Sequence, residues 1–430
     1  MKMDPISGFP EWTPAQRRLE QQWMQILQQQ FELYAFASVE TRAIEPLDVL
    51  LNKGDDKEIY LLKRLHATEE EADKFGLHFD LTVPFARYVQ EFEAQLSFPF
   101  KRYQIQKVWR GERKQEGRYR EFYQCDLDII GKDQLPLHFD AELAYLLADS
   151  LARLPIPPVD LKISHRKVLE GFYRGLGIED IPGTLRILDK LAKIGVDGVL
   201  EQLGIHQQLP EKTSQACIAL AQIRSQQLDV IERVRALGVS HPQLDEGLAE
   251  LQQVMTTLHA LDQHQVWVDL SIARGLDYYT GTVYEGYLRG HESLGAICSG
   301  GRYDRLAGSA QKPLPGVGVS IGLTRLLGFV LQHDLVELPA ASSAQVYIIL
   351  PDDSARVDAL RVASQLRARG IAVDIHHQPQ NFGKQMRHAE KRGIPYVWFL
   401  PGTADVPGHA VKHLASGAQQ AADPGSWVPV

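Results

Sequence analysis

The sequence predicts an α+β protein that ends in a small, separate α/β domain. Three observations carry this. Two strand-like runs, Phe98–Arg110 and Phe122–Ile130, flank a Gly- and charge-rich loop and read as an antiparallel hairpin. From about Asp160 to His264 the chain is rich in Leu, Gln and Ala and reads as mostly helical. Beyond Leu338–Ala344, a linker by composition, strand and helix patterns alternate.

Taken in order, Thr13-Pro14 supplies an N-cap hydroxyl and a proline for the first helical position. Leu19, Trp23, Ile26, Leu27 and Phe31 then keep a helical stripe, and Ala37–Thr41 turns strand-like. Glu58–Leu65 and Leu77–Val83 read as strands, and Pro84 opens a helix. In the hairpin, Arg102, Gln104, Gln106, Val108 and Arg110 share one face of the first strand. Gln124, Asp126 and Asp128 share one face of the second, opposite Tyr123, Cys125, Leu127 and Ile129. The polar face is either solvated or the floor of a polar pocket. Phe139–Leu154 is an amphipathic helix ended by Pro155–Pro158, and the helical run that follows carries no chemical motif. Strands resume at Trp267–Leu288, Ala296–Tyr303 and Gly316–Gly322, the last running into a helix from Leu323. The expected boundaries are 1–159 and 265–337 for two parts of one domain, 160–264 for an inserted helical domain, 338–344 for the linker and 345–430 for the C-terminal domain.

The 430 residues have room for two to four domains at roughly 150 residues each. With 44% hydrophobic and 23% charged residues the chain is globular in composition. No apolar run is long enough for a membrane span, and the N-terminus MKMDPISGFPEW lacks the apolar core of a signal peptide. Three widely spaced cysteines, Cys125, Cys217 and Cys298, argue against a disulfide scaffold or a cysteine zinc site and suit a reducing cytoplasm. A net charge of −8 excludes a general nucleic-acid coat. A local patch is cationic all the same: eight Lys and Arg stand between 101 and 120, against Glu112 and Glu116.

There is no Walker A motif, and GVGVSIG has the wrong spacing for a dinucleotide fingerprint. If ATP is used, arginines on a sheet must hold its phosphates, which their planar, permanently charged forks suit. The run Arg274–Glu285, RGLDYYTGTVYE, sets an arginine at a strand end beside a Gly turn, with two tyrosines behind it. Enclosing such an arginine is costly unless an anion sits there.

RGLDYYTGTVYE resembles the histidine-binding signature of histidyl-tRNA synthetases, and the family's other stretches follow in order over nearly the whole chain. The resemblance implies a class II synthetase-like antiparallel sheet flanked by helices and a C-terminal domain like those that bind anticodons. The N-terminal helix and strand resemble motif 1, which builds a dimer interface, with Ala43 where the family has proline. Arg110-Gly111-Glu112-Arg113, followed by Phe122, resembles motif 2. By that resemblance Arg110 binds the α-phosphate, Glu112 holds adenine and Phe122 stacks on it, while Arg113 and Gln115 contact the tRNA acceptor end. Gly318–Arg325 resembles motif 3, whose arginine, here Arg325, stacks on adenine and reaches the γ-phosphate; Thr324 stands where the family has Glu. Phe79–Tyr88 resembles the segment that grips the substrate ammonium, with His78 where the family has Arg.

A histidine pocket can be assembled from these stretches. Asp80, Thr82 and Gln124 suit the ammonium, while Asp128, Tyr279 and Tyr303 suit the imidazole. Arg274 faces the reacting carboxylate and α-phosphate opposite Arg110, and the two guanidinium groups stabilise the pentacovalent transition state. No general base is needed, because the histidine carboxylate is itself the nucleophile. His409 and His413 have helix-face spacing, but Pro407 and Gly408 precede them and no third ligand is near, so no metal site of protein histidines or cysteines is expected. Mg2+ comes with ATP. The resemblance thus implies a cytoplasmic, homodimeric histidine–tRNA ligase acting on histidine, ATP and tRNA(His), with no membrane partner. A related alternative is the regulatory subunit of ATP phosphoribosyltransferase, which generally lacks the C-terminal domain and departs from RGLDYY at the arginine; this chain has both features.

Overall fold

A computed structural model of the chain describes residues 4–51, 58–66, 74–113, 117–263, 265–273, 278–305, 308, 312–403 and 407–429. It divides into two compact units. The first is Trp23–Val336 with the N-terminal residues to Pro10, and the second is Glu337–Val430 with Glu11–Gln22. Among the described residues no helix is long and apolar enough to cross a membrane.

The first unit is built on a nine-stranded sheet. The helix α1, Pro14–Leu33, starts at the expected proline and buries Trp23, Leu27 and Phe31 completely. The strand β1, Ala37–Ser38, runs parallel to the first hairpin strand. A three-stranded sheet of β2 (Ile44–Pro46), β3 (Leu61–Leu62) and β4 (Phe75–Leu77) stands apart from the large one, with the short helix α2, Leu47–Leu51, following β2. The strand expected at Glu58–Leu65 is therefore only two residues long, and the one expected at Leu77–Val83 is instead Phe75–Leu77, which shares only Leu77 with that reading. The second stops at Leu77 because the chain bends to start α3, Thr82–Phe92. Asp80 explains that start: its carboxylate accepts a hydrogen bond from the Val83 N–H at 3.0 Å, and Pro84 follows in the first turn.

The hairpin is β5, Phe100–Trp109, and β6, Glu121–Ile130. Its register sets Arg102 opposite Asp128, Gln104 opposite Asp126 and Gln106 opposite Gln124, which are the faces read from the alternation. The helix α4, His138–Ala152, packs behind. Next comes a strand where helix was expected: β7, Val159–His165, lies beside β10, Thr282–Leu288, over seven residue pairs. Between them in sequence lie α5 (Arg166–Gly175), α6 (Ile181–Leu188), α7 (Leu191–Gln207), α8 (Glu211–Ala221), α9 (Asp229–Arg235) and α10 (Pro242–Ala260), with β8, Arg224–Ser225, and β9, Trp267–Asp269. Both short strands extend the same sheet, so the helical run does not begin cleanly at residue 160. The reason is local. VDLKISH alternates Leu161, Ile163 and His165 inward, but seven residues of period two are easily lost beside a long helical composition. For the same reason Val266–Ile272 gives only a three-residue strand. It is parallel to β7, which separates it from β10.

From the hairpin outward, β6 pairs antiparallel with β12 (Gly316–Gly322), β12 with β11 (Cys298–Tyr303) and β11 with β10. The helix α11, Leu323–Gln332, follows β12 as the sequence predicts. The second unit has a five-stranded sheet. Here β13 (Val346–Ile348) runs parallel to β14 (Val373–Ile375) and β15 (Tyr396–Phe399), while β16 (Ala410–His413) and β17 (Gln419–Ala421) add antiparallel strands. Val346, Ile348 and Trp398 pack against α12, Arg356–Ala368, on one face. Tyr347, Val397 and Phe399 pack against α13, Phe382–Lys391, on the other. Both faces are buried, so these strands read as apolar runs. The sequence reading missed β16 and β17, and His413 ends β16 rather than sitting on a helix.

Candidate active site

The polar face of the hairpin is not a solvated surface. Arg102, Gln104, Asp126 and Asp128 are all at most 3% exposed. Asp126 and Asp128 stand on the floor of a cavity of about 190 Å³ lined also by Asp80, Thr82, Arg110, Gln124, Tyr279 and Tyr303, residues read from four separate stretches of sequence. Glu58, Asp126, Tyr278, Ser299, Gly300 and Ser320 are also in the lining. Sequence reading gave none of them a site role, although Tyr278 is one of the two tyrosines behind the arginine of RGLDYY and Asp126 was already placed on the right face. Glu58 and Ser299 had no such signal, because loop packing and sheet pairing bring them in.

Small residues on β12 make the room. Gly318 is paired with Asp128 across the sheet, and a Cβ there would stand 2.0 Å from the Asp128 carboxylate. A Cβ at Gly316 would stand 2.4 Å from the Tyr303 ring. The alternating small residues of GVGVSIG are thus the space in which the pocket side chains sit.

A second, larger chamber of about 600 Å³ shares Glu58, Arg110, Gln124, Ser299 and Ser320 with the first. Arg110, Glu112, Phe122 and Arg325, the residues expected at a nucleotide, all line it. The Arg110 guanidinium lies 5.1 Å from the centre of the Phe122 ring, and its Nε donates to the Phe79 carbonyl at 2.9 Å. Arg118 pairs with Glu112 at 2.8 Å, and Arg325 donates to the Leu294 carbonyl. Arg110 therefore stands where the two chambers meet, held by backbone and ring. Arg113 is exposed and outside both linings, while Gln115 and Arg274 fall outside the described residues.

The electrostatics of the floor are dominated by one cation and two acids. Arg102 pairs with Asp128 at 2.6 Å and stands 4.0 Å from Asp126, with its guanidinium 4.1 Å from the centre of the Phe85 ring. The Tyr303 hydroxyl donates to Asp128 at 2.5 Å. Asp128, expected to await an imidazole N–H, is thus already engaged by Arg102 and Tyr303. Burial, reinforced by Asp128, raises the Asp126 carboxyl to about 7 against the pull of Arg102. Burial likewise pushes the Tyr279 and Tyr303 phenols well above their ordinary value, with Asp128 adding to both. Both tyrosines remain neutral hydrogen-bonding groups.

A match to the histidyl-tRNA synthetase family model covers residues 8–326. The chain belongs to the histidyl-tRNA synthetase family. Residues 345–403 match an anticodon-binding domain. A Thermobifida fusca relative described as a histidine–tRNA ligase is 51% identical over 98% of this chain and 97% of its own length. The structure of a histidyl-tRNA synthetase from Nostoc sp. PCC 7120 superposes with a TM-score of 0.89 at 35% identity, covering 98% of this chain and 96% of that one. A Bacillus halodurans C structure described as an ATP phosphoribosyltransferase regulatory subunit/histidyl-tRNA synthetase has a TM-score of 0.76 at 21% identity over 94% of this chain and 100% of that one, a likeness of fold alone.

Two departures from the synthetase pattern have structural accounts. Thr324 is 2% exposed, and its hydroxyl accepts the Tyr123 N–H at 2.8 Å. It ties α11, which carries Arg325, to β6, which carries Phe122. Thr324→Val removes that tie and is expected to cost about 1 kcal/mol of stability. It should raise the KM for ATP more than that for histidine, and Thr324→Ser should restore both. A parallel rise in the two constants would count against this role. His78 is fully buried, with Nε2 2.7 Å from the Lys107 carbonyl and its ring beside Trp109. Burial lowers its pKa, so it packs as a neutral ring.

Proposed function

We propose that this chain activates histidine with ATP and transfers the histidyl group to tRNA(His). The observation that carries the proposal is the meeting of the two chambers at Arg110: the smaller takes the amino acid, the larger takes MgATP. A carboxylate oxygen of histidine attacks the α-phosphorus. The bond to the β-phosphate oxygen breaks, and pyrophosphate leaves with the electron pair. Arg110, with Arg274 on the opposite side, stabilises the charge on the pentacovalent phosphorus. Phe122 and Arg325 hold adenine between them, and Glu112 fixes its edge. Asp80, Thr82 and Gln124 address the ammonium, while Tyr279, Tyr303 and the Asp128 they adjoin address the imidazole. The terminal ribose hydroxyl of the tRNA then attacks the carbonyl carbon of histidyl-adenylate, and AMP leaves.

The acceptor end of the tRNA meets the loop after Arg110, with Arg113 and Gln115 as contacts, and the C-terminal unit reads the anticodon. Several of that unit's arginines have partners within it: Arg361 pairs with Asp358 at 2.6 Å, Arg392 pairs with Asp374, and Arg369 donates to Trp427 at 2.7 Å. Lys384, Arg387 and Lys391 of α13 are exposed and stand available to phosphates. The chain acts in the cytoplasm, in keeping with three buried free cysteines, as a homodimer through its N-terminal helix and strand. The test is amino-acid-dependent exchange of pyrophosphate into ATP, screened over the amino acids. Histidine alone is expected to support it; faster exchange with proline, threonine or glycine would overturn the assignment.

A further inference from the structure

We infer that the Ser299 hydroxyl donates a hydrogen bond to the acyl-phosphate linkage as it forms between histidine and ATP, a catalytic contact; the inference rests on the histidine-activation reading above. Sheet register places the residue. Asp126 on β6 is paired with Ser320 on β12, Ser320 with Ser299 on β11, and Ser299 with Glu285 on β10. Directly paired side chains stand on one face, so the four form a row across the sheet, roughly 14 Å long at the usual strand spacing. The row passes from one chamber into the other. Asp126 lines the smaller chamber and not the larger, Glu285 lines the larger and not the smaller, and Ser320 and Ser299 line both. The two serines therefore floor the boundary between them.

The two hydroxyls differ in what they have left to give. Ser320 Oγ accepts the Gln124 amide at 2.6 Å, and the same side chain hydrogen-bonds to Asp126, which uses its single proton. Ser299 is the exposed residue of β11, and among the described residues its hydroxyl has no hydrogen-bond partner. Its backbone is paired on both sides, with β10 and with β12. Only one side-chain torsion and the O–H rotor stay free, so little entropy is lost when the hydroxyl turns onto a ligand.

In the activation step the part of the reactants that lies across this boundary is the histidine carboxylate, the α-phosphorus and the oxygens they carry. Negative charge builds on those oxygens in the transition state, and a donor already aimed there lowers its energy. The row brings no cation of its own, since both of its ends are carboxyl groups. Arg110 follows β5, three strands from β11 in the sheet order, so the guanidinium and the hydroxyl come from different strands of the floor. Ser299 keeps its proton throughout: it donates a hydrogen bond, and no bond to its oxygen forms or breaks.

The test uses the full chain and three ligands. 5′-O-[N-(histidyl)sulfamoyl]adenosine carries an acyl sulfamate in place of the acyl phosphate, while histidinol and adenosine are the two halves without it. Ser299→Ala should weaken the acyl sulfamate about ten- to a hundredfold, the range of one hydrogen bond to a charged group, and each half by less than about twofold. Single-turnover adenylate formation should slow by a similar factor, with an unchanged melting curve. Ser299→Thr, which keeps the hydroxyl, should stay within about threefold of the unaltered chain in both measurements. An unchanged affinity for the acyl sulfamate, an equal loss for histidinol or adenosine, or equal losses in the alanine and threonine variants would each overturn the inference. Failure of the unaltered chain to bind histidinol and to form the adenylate would instead overturn the activation reading on which it rests.

Discussion

Replacing Arg110 by alanine should lower the rate of histidyl-adenylate formation by about two to three powers of ten, the usual loss when one preorganised donor to a developing oxyanion is removed. The side chain stands at the junction of both chambers, its Nε fixed by the Phe79 carbonyl and its guanidinium carbon 5.1 Å from the Phe122 ring centre. Because this positioning is complete before substrate arrives, its loss should fall on the chemical step more than on the KM for histidine. Arg110→Lys should recover little, since a point charge can neither fork onto two phosphate oxygens nor lie over the ring in the same way. Single-turnover adenylate formation, with a melting curve to check the fold, measures this. A rate within about threefold of the unaltered chain would remove Arg110 from the proposed transition state.

Arg102→Met should lower stability by about 3–5 kcal/mol, because it leaves two buried carboxyl groups without their cation. Arg102 is fully buried, 2.6 Å from Asp128 and 4.0 Å from Asp126. The sign with pH follows from Asp126. Its folded pKa of about 7 lies above the ordinary 3.8, so the folded state binds the extra proton and stability falls as pH rises between those values. Without Arg102 the folded pKa rises further. The loss should therefore be smallest near pH 5 and grow towards pH 8. Urea denaturation midpoints at the two pH values test it; a deficit that is equal at both, or larger at pH 5, would contradict this account.

How much of the site could be read in advance depended on the range of the signal. Alternation along FKRYQIQKVW and EFYQCDLDII assigned each hairpin residue to a face, and the observed register pairs them as the alternation requires. Local pattern also placed α1, α3, α4, α11 and the C-terminal strand–helix alternation. It failed where the run was too short to show its period, as at Val159–His165 and Arg224–Ser225, or where sheet pairing alone recruits a strand, as at Gln419–Ala421.

The sequence by itself determined which chemistry the chain could hold: arginines for phosphates, acids and tyrosines for a polar ligand, and their order along the chain. Those are properties of residue type and spacing, which folding does not change. Only the tertiary structure decided that the polar face of the hairpin is buried, that Gly318 leaves room for Asp128, and that Arg102 and Tyr303 engage Asp128 while Asp126 and Gln124 keep free acceptors. Burial, ion pairing and the pKa of Asp126 are set by neighbours from β5, β11, β12 and the start of α3, residues distant in sequence that long-range strand pairing and packing bring within a few ångströms.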